Sequence, residues 1–346
     1  MKATLVGYPQ TGKTTLFEAL TGQYASQKGG SRGRPNIAVV RVPDDRVDRL
    51  SKMFRPKKTT YAEVMFADSP GSRGAGRGLD PATLLAVQEA DALVLVLRGF
   101  ADVDGTAARP ERELTDFEAE LVLNDLGIVE RRLERLAKMH DASREAVVLE
   151  RCRVELDGGR SLRQVALDAD EIKAISGFAF LSCQPLLAVL NTAEQAASEP
   201  LPGTLETQAE TDGVGLIAAC ATVESEIAQL DPDDQGEFLA SMGLGEPASA
   251  RLIRAAYALL DTISFFTVGE DEVRAWTVRR GSLAPRAAGC VHSDIERGFI
   301  RAEVMDYGEF IEAGSEAKMK AAGRLRVEGK EYVVNDGDII NFRFNV

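Results

Sequence analysis

Gly7-Tyr-Pro-Gln-Thr-Gly-Lys-Thr14 fits the pattern G-x-x-x-x-G-K-[ST] with no mismatch. The apolar run Ala3-Thr-Leu-Val6 precedes it, and Thr15-Leu-Phe-Glu-Ala-Leu20, a segment able to continue as a helix, follows. Strand, glycine-rich loop and helix in that order are the context this motif requires. The stretch implies a nucleoside triphosphate with Mg²⁺ as ligand, and an α/β domain built around the loop. Gly7 and Gly12 let backbone N–H groups close on phosphate oxygens at the positive end of the helix dipole. Lys13 is the expected catalytic cation, reaching the β- and γ-phosphates, and the Thr14 hydroxyl is the expected Mg²⁺ ligand. Pro9, Gln10, Thr11 and Thr15 complete the expected contact set.

Working outward, Tyr61-Ala-Glu-Val-Met-Phe-Ala-Asp68 reads as a strand ending in an acid. Ala92-Leu-Val-Leu-Val-Leu97 is a continuous apolar run of the buried parallel-strand type. Pro185-Leu-Leu-Ala-Val-Leu190 and Gly215-Leu-Ile-Ala-Ala219 are two more, each where a βα repeat would put a strand. Asp68-Ser-Pro-Gly71 matches the D-x-x-G of GTPase-type switches. There Asp68 would hold Mg²⁺ through water and the Gly71 N–H would meet the γ-phosphate. The glycine-rich run that continues to Gly78 reads as a nucleotide-sensing switch rather than a plain flexible loop.

Between the second and third of these strands the texture becomes charged and helical. Leu121, Leu126, Val129, Leu133 and Leu136 recur at helical spacing in a segment running from Leu114 to about Leu149. A second helical stretch is expected from about Ser161 to Phe178. Together they predict an inserted helical hairpin whose charges suit a solvated face. A helix is expected from about Pro247 to Asp261. From Ile263 onward the chain is rich in strand candidates: Phe265–Val268, Glu272–Val278, Gly298–Val304, Tyr332–Val334 and Ile339–Phe344. They predict a separate α+β domain.

A chain of 346 residues is too long for one ordinary core. No apolar run approaches the ~20 residues of a membrane span. Met1 leads straight into the first strand, leaving no room for a removable signal peptide, so a cytoplasmic protein without membrane association is expected. Cys152, Cys183, Cys220 and Cys290 form no C-x-x-C pair, and with only His140 and His292 available a zinc site is not expected. The net charge of −13 argues against a general nucleic-acid coating protein, and DNA sequence recognition is not expected.

Base recognition should come from the loop after Val189-Leu190. GTPases carry N-K-x-D there, whereas this chain has Asn191-Thr-Ala-Glu194. Thr192 removes the lysine stem that packs on the base, and Glu194 moves the carboxylate by a methylene. Asn191 can meet a base edge, brace the phosphate loop, or do both. Cys220-Ala221 sits where such domains contact the base by backbone.

These residues together resemble the YchF/Obg-like ATPase family of P-loop proteins. The resemblance rests on Arg34-Pro-Asn-Ile-Ala-Val-Val-Arg-Val-Pro-Asp-Asp-Arg46, on Asn191-Thr-Ala-Glu194 and on Asp125-Leu-Gly-Ile-Val-Glu-Arg-Arg-Leu-Glu-Arg-Leu136. It is most specific in the C-terminal blocks Glu272-Val-Arg-Ala-Trp-Thr-Val-Arg-Arg-Gly281 and Glu328-Gly-Lys-Glu-Tyr-Val-Val-Asn-Asp-Gly-Asp338. It implies a P-loop domain over residues 1–112 and 184–262, an inserted helical or coiled-coil domain over 113–183, and a β-grasp-like TGS domain over 263–346. It also implies ATP binding in preference to GTP, slow Mg²⁺-dependent hydrolysis, and association with the ribosome, as the large subunit or 70S, with possible rRNA contact. The function it implies is a slow nucleotide-dependent switch in translation or the stress response.

The chain departs from the family pattern where hydrolysis is controlled. Arg32 stands where the family's first switch has a threonine, and Ser72 stands where the family has a hydrophobic residue after the D-x-x-G glycine. The loop from Phe100 to Arg112 lacks the family's histidine. Two alternatives stay open: a nucleotide-binding scaffold with negligible hydrolysis, and a conventional GTPase.

Overall fold

The computed structural model describes residues 1–22, 36–69, 79–140 and 142–345. Arg32, Gly71 and Ser72 lie outside the described residues. The chain divides into two compact units, Met1–Val39 with Met65–Ala256, and Val40–Val64 with Tyr257–Val346.

From the N-terminus the elements are β1 (Lys2–Val6), α1 (Lys13–Thr21), β2 (Asn36–Arg41), α2 (Asp45–Phe54), β3 (Lys58–Thr60), β4 (Glu63–Asp68), α3 (Pro81–Gln88) and β5 (Ala92–Gly99). Then come α4 (Pro110–Lys138), α5 (Arg144–Asp157), α6 (Ala169–Ile175), β6 (Leu186–Thr192), α7 (Gly203–Asp212), β7 (Gly215–Ala219) and α8 (Ala221–Ile227). Helices α9 (Pro232–Ser241) and α10 (Ala248–Leu259) follow. The remaining strands are β8 (Thr262–Thr267), β9 (Glu272–Arg279), β10 (Phe299–Met305), β11 (Arg326–Glu328) and β12 (Ile339–Phe344).

The first sheet has the order β2-β4-β1-β5-β6-β7. β1 pairs in parallel with β4 and β5, and β5, β6 and β7 continue in parallel. Parallel pairing aligns the carboxyl ends of these strands along one edge. Leu5 stands opposite Asp68, and Asn191 stands opposite both Arg98 and Ala219. From β1 the chain runs to β2 and β4 on one side and then crosses to β5 on the other, so the phosphate loop lies at a topological switch point, where open α/β sheets bind ligands. β5 is buried from Ala92 through Leu97, which is why its sequence is an unbroken apolar run.

The inserted hairpin does not turn where its sequence suggests. The first arm is α4 and the second is α5, whereas the expected arms were 114–149 and 161–178. The first arm ends at Lys138 and the second begins at Arg144; His140 adopts a positive φ of 52° and the Ser143 side chain caps α5. Residues 161–178 form two 3₁₀ turns flanking the short helix α6. α4, about 43 Å long at 1.5 Å per residue, serves two cores. Leu114, Phe117 and Leu121 pack with the sheet core, while Val122, Val129 and Leu136 pack with α5. Within the second stretch, between Val122 and Val129, lies Asp125, fully buried, which accepts the backbone N–H groups of Leu181 at 3.0 Å and Ser182 at 2.7 Å. That bond pair ties the returning chain to the middle of α4. Burial pushes the Asp125 carboxyl above the usual range, against the pull of these donors.

The second sheet has the order β11-β10-β12-β8-β9-β3. β8 and β9 are antiparallel, as are β10 and β12, while β12 meets β8 in parallel. Its edge strand β3 pairs with β9 through Lys58, Thr59 and Thr60. Val40–Val64 therefore packs with the C-terminal strands, although the expected boundaries put it in the nucleotide domain. α2 joins this unit too: Phe54 stacks on Phe310 at 5.8 Å, and Arg46 lies over Phe266 while pairing with Asp336 at 2.8 Å. The expected strand at Tyr332–Val334 is only a single bridge from Val333 to Leu283. Tyr332 instead donates to the buried carboxylate of Asp338 at 2.7 Å, and this turn chemistry outweighs strand propensity. No helix among the described residues is long and apolar enough to cross a membrane.

Replacing Asp125 with alanine leaves two buried N–H groups without acceptors, at about 1–3 kcal/mol each. The Asp125→Ala midpoint in urea should fall accordingly at unchanged slope; a shift below ~1 kcal/mol would contradict the role assigned to this carboxylate.

Candidate functional site

The phosphate loop gets its shape from three residues with positive φ: Gly7 at 141°, Gln10 at 65° and Gly12 at 88°. Two of them also lack room for a side chain. A Cβ on Gly7 would sit 2.6 Å from the Val96 carbonyl oxygen, and one on Gly12 would sit 2.1 Å from Asn191 Nδ2. Helix α1 starts directly after Gly12 with no side-chain cap, so its first N–H groups face the loop. Pro9 and Gln10 are exposed at the loop's tip, and Thr11 is buried with its hydroxyl donating to the Tyr8 carbonyl at 3.1 Å.

Lys13 is buried and its Nζ donates to the same Tyr8 carbonyl at 2.5 Å. Burial pushes its ammonium below the ordinary range, against the pull of Asp68 and Glu113. The Thr14 hydroxyl donates to Asp68 Oδ2 at 3.0 Å. The other carboxylate oxygen of Asp68 is buried and has no hydrogen-bond partner among the described residues. Burial raises the Asp68 pKa, opposed by Thr14, Lys13 and the side chain of Asn36. Ser69 fixes the departing chain by donating from both its hydroxyl and its N–H to the Leu5 carbonyl, at 2.7 and 3.2 Å. Thr15 lies exposed on the first turn of α1, and Gly71 lies outside the described residues.

Asn191 lies at the end of β6, with one face of its amide toward the loop. Its Nδ2 donates to the Thr11 carbonyl at 2.8 Å, and its Oδ1 accepts the Ala221 N–H at 2.9 Å. Of the two roles open to it on sequence, the bracing one is visible in this geometry. Cys220 and Ala221 are buried at the start of α8, brought to the loop by that amide. Glu194 is exposed in a 3₁₀ turn after β6, and the Thr192 hydroxyl is buried without a partner among the described residues. The structure thus gathers the phosphate loop, Asp68, Asn191, Cys220 and Ala221 at one sheet edge.

Sequence reasoning missed three participants. The Tyr8 carbonyl receives both Lys13 and Thr11, and no side-chain pattern advertises a carbonyl. Asn36 acts on Asp68 from β2, a strand that was not foreseen. Glu113 comes from the first turn of α4, where it accepts the Arg98 N–H at 2.9 Å and acts electrostatically on Lys13. Its role depends on where α4 starts, which periodicity alone does not show.

Nucleotide and Mg²⁺ fit these residues. A buried carboxylate oxygen without a partner among the described residues stands beside a hydroxyl, which is an oxygen donor set suited to Mg²⁺. A buried ammonium and an uncapped helix start suit phosphate.

Among known proteins, a family model described as a 50S ribosome-binding GTPase matches residues 2–130. A second, named YchF-GTPase_C and described as a protein of unknown function, matches residues 262–345. The chain is 39% identical over 360 residues to the ribosome-binding ATPase YchF of Pasteurella multocida, covering 100% of this chain and 99% of that one. It is 37% identical over 364 residues to the protein of the same name from Bacillus subtilis, covering 100% of both. It is 34% identical over 365 residues to Obg-like ATPase 1 of Oryza sativa, covering 100% of this chain and 92% of the relative. The solved structure of the Schizosaccharomyces pombe YchF GTPase matches at a TM-score of 0.88 and 29% identity, covering 99% of this chain and 97% of that one.

Asn191→Ala strands the Thr11 carbonyl and the Ala221 N–H in a buried place, at about 1–3 kcal/mol each. Gly12→Ala adds about 1–2 kcal/mol of left-handed strain and displaces the same amide. Both variants should lose urea stability and triphosphate affinity together, measured by denaturation and titration calorimetry. Unchanged affinity in Asn191→Ala would show that the loop holds its shape without the brace.

Proposed function

We propose a function from one premise: the chain belongs to the YchF family of P-loop proteins. It is a nucleoside triphosphatase that binds ATP in preference to GTP, hydrolyses it slowly, and acts as a nucleotide-dependent switch on the ribosome in translation or the stress response. Relatives named ribosome-binding ATPases support the ribosomal part of this reading. The observation that carries the nucleotide part is the Thr14 hydroxyl on one oxygen of Asp68, with the second oxygen buried and unpartnered among the described residues.

In this reading Thr14 and Asp68 would hold Mg²⁺. When bound, Mg²⁺ neutralises charge on the β- and γ-phosphates. Lys13 turns from the Tyr8 carbonyl to those phosphates, and the N–H groups of the loop and of Thr15 surround them. Burial disfavours the charged forms of both Lys13 and Asp68, so a polyanion with its cation supplies each with an opposite charge. Catalysis by such a site is positioning and charge neutralisation rather than covalent chemistry. Adenine is favoured because Thr192 lacks the lysine stem and Glu194 misplaces the carboxylate that would grip guanine. The backbone of Cys220-Ala221 borders the base. Gly71 is assigned to the γ-phosphate. The nucleotide state is read out through the helical insertion of residues 113–183 and a TGS domain at 263–346.

Competition between ATP and GTP with Mg²⁺ is the primary test. ATP should win, and Lys13→Ala should abolish binding of both; a GTP preference would make the protein a conventional GTPase. Single-turnover hydrolysis should fall at about 10⁻⁴ to 10⁻² per second. Binding with no phosphate release, even with ribosomes present, would leave a scaffold. Co-sedimentation with 70S ribosomes should differ between ATP and ADP, and an identical profile would refute the switch.

A further inference from the structure

A pocket of about 470 Å³ opens beside the phosphate loop. Tyr8 and Pro9 line one side, and Arg98, Arg109, Arg112 and Glu113 line the other. Its charges are nearly all committed. Arg98 pairs with Asp102 at 3.4 Å and lies 3.8 Å from Glu113, and Arg112 pairs with Asp116 at 3.4 Å. Glu111, the other acid of the first helical turn, accepts the Thr204 hydroxyl at 2.7 Å. Arg109 is exposed and makes no ion pair among the described residues. Of the charged residues that line the pocket, three are arginines and two are acids, and Arg109 is the arginine left without an acidic partner among the described residues.

The backbone that presents Arg109 is anchored on both sides. Its carbonyl accepts the Glu113 N–H at 3.0 Å, Pro110 sets the first helical residue, and α4 runs on from there for 29 residues. Upstream, Asp102 Oδ1 accepts the N–H groups of Asp104 and Thr106 at 3.0 and 2.8 Å, closing a tight turn. Arg98 reaches the Thr106 carbonyl at 3.4 Å and holds that turn to the end of β5. Glu113, four residues along the helix, is near enough to act on Lys13. Arg109 therefore lines, from an anchored stretch of backbone, the same pocket that Tyr8 and Pro9 of the loop tip line.

We propose, resting on the triphosphatase reading above, that Arg109 is a catalytic residue that places its guanidinium on the terminal phosphate in the transition state. In the reaction the oxygen of a water molecule bonds to the terminal phosphorus. The bond from that phosphorus to the bridging oxygen breaks, ADP leaves with the electron pair, one of the water's two protons stays on the inorganic phosphate and the other passes to solvent. Negative charge builds on the bridging and terminal oxygens, and an arginine supplied from the same chain stabilises it. A planar fork matches two phosphate oxygens at once, which an ammonium does not.

The test uses the full-length protein with Mg²⁺ and ATP, comparing wild type, Arg109→Ala, Arg109→Lys and Arg112→Ala. Single-turnover rate and nucleotide affinity are measured separately, together with affinity for ADP with aluminium fluoride as a transition-state mimic. Arg109→Ala should lower the rate at least ~30-fold, a conservative share of the ~10³ or more reported for arginine fingers. Its affinity for ATP and ADP should hold within about threefold, whereas its affinity for the mimic should fall with the rate. Arg109→Lys should recover only part of the loss. Arg112→Ala, whose charge is committed to Asp116, should stay near wild type. An Arg109→Ala protein with wild-type rate and mimic affinity overturns the role of Arg109 alone. An equal loss in Arg112→Ala overturns it in favour of a general field effect. Wild-type protein that binds ATP but releases no phosphate overturns the triphosphatase reading and this role with it.

Discussion

Asn191 joins three parts of the nucleotide unit through one side-chain amide. It reaches the Thr11 carbonyl in the phosphate loop and the Ala221 N–H at the start of α8, from the end of β6. The amide is 4% exposed, so water offers little competition for either bond. The close approach has a local condition. Gly12 must lack a side chain because Asn191 Nδ2 occupies the place a Cβ would need. The glycine of the motif and the asparagine of the base loop are thus two halves of one packing requirement, some 180 residues apart in the chain.

Around that brace the site keeps charges under tension. Lys13 and Asp68 are both buried, each pushed by desolvation toward its neutral form and each partly rescued by the other. In a low-dielectric place the pair is electrostatically expensive unless further opposite charge arrives. An arrangement of this kind favours binding of a charged ligand over stability of the free protein. Glu113 extends the same field to the first turn of α4, so the helix that begins the insertion also borders the phosphate end of the site.

α4 gives the insertion its connection to the sheet. Its first turns belong to the sheet core and its later turns to the hairpin core, where Asp125 holds the returning chain. The second unit has its own six-stranded sheet, including a three-residue edge strand, Lys58–Thr60.

What the sequence determined by itself was the chemistry whose parts are contiguous. The phosphate loop, its flanking strand and helix, and the buried runs of β5, β6 and β7 were legible because a motif or an apolar run is a local property. Much of the C-terminal strand pattern was legible for the same reason. The tertiary structure alone decided the rest. β3 is three residues long, too short to show a period, and only pairing with β9 makes it a strand. The hairpin turned at His140 and Ser143 because a positive φ and a cap interrupt a pattern that hydrophobic spacing had carried through. Tyr332 and Val333 looked like a strand but serve a turn closed on Asp338. In the site, the Tyr8 carbonyl, Glu113 and both bonds of Asn191 join residues far apart in sequence or backbone groups common to every residue. Such contacts leave no residue-type signature, because they depend on where folding brings the partners and not on what precedes or follows them.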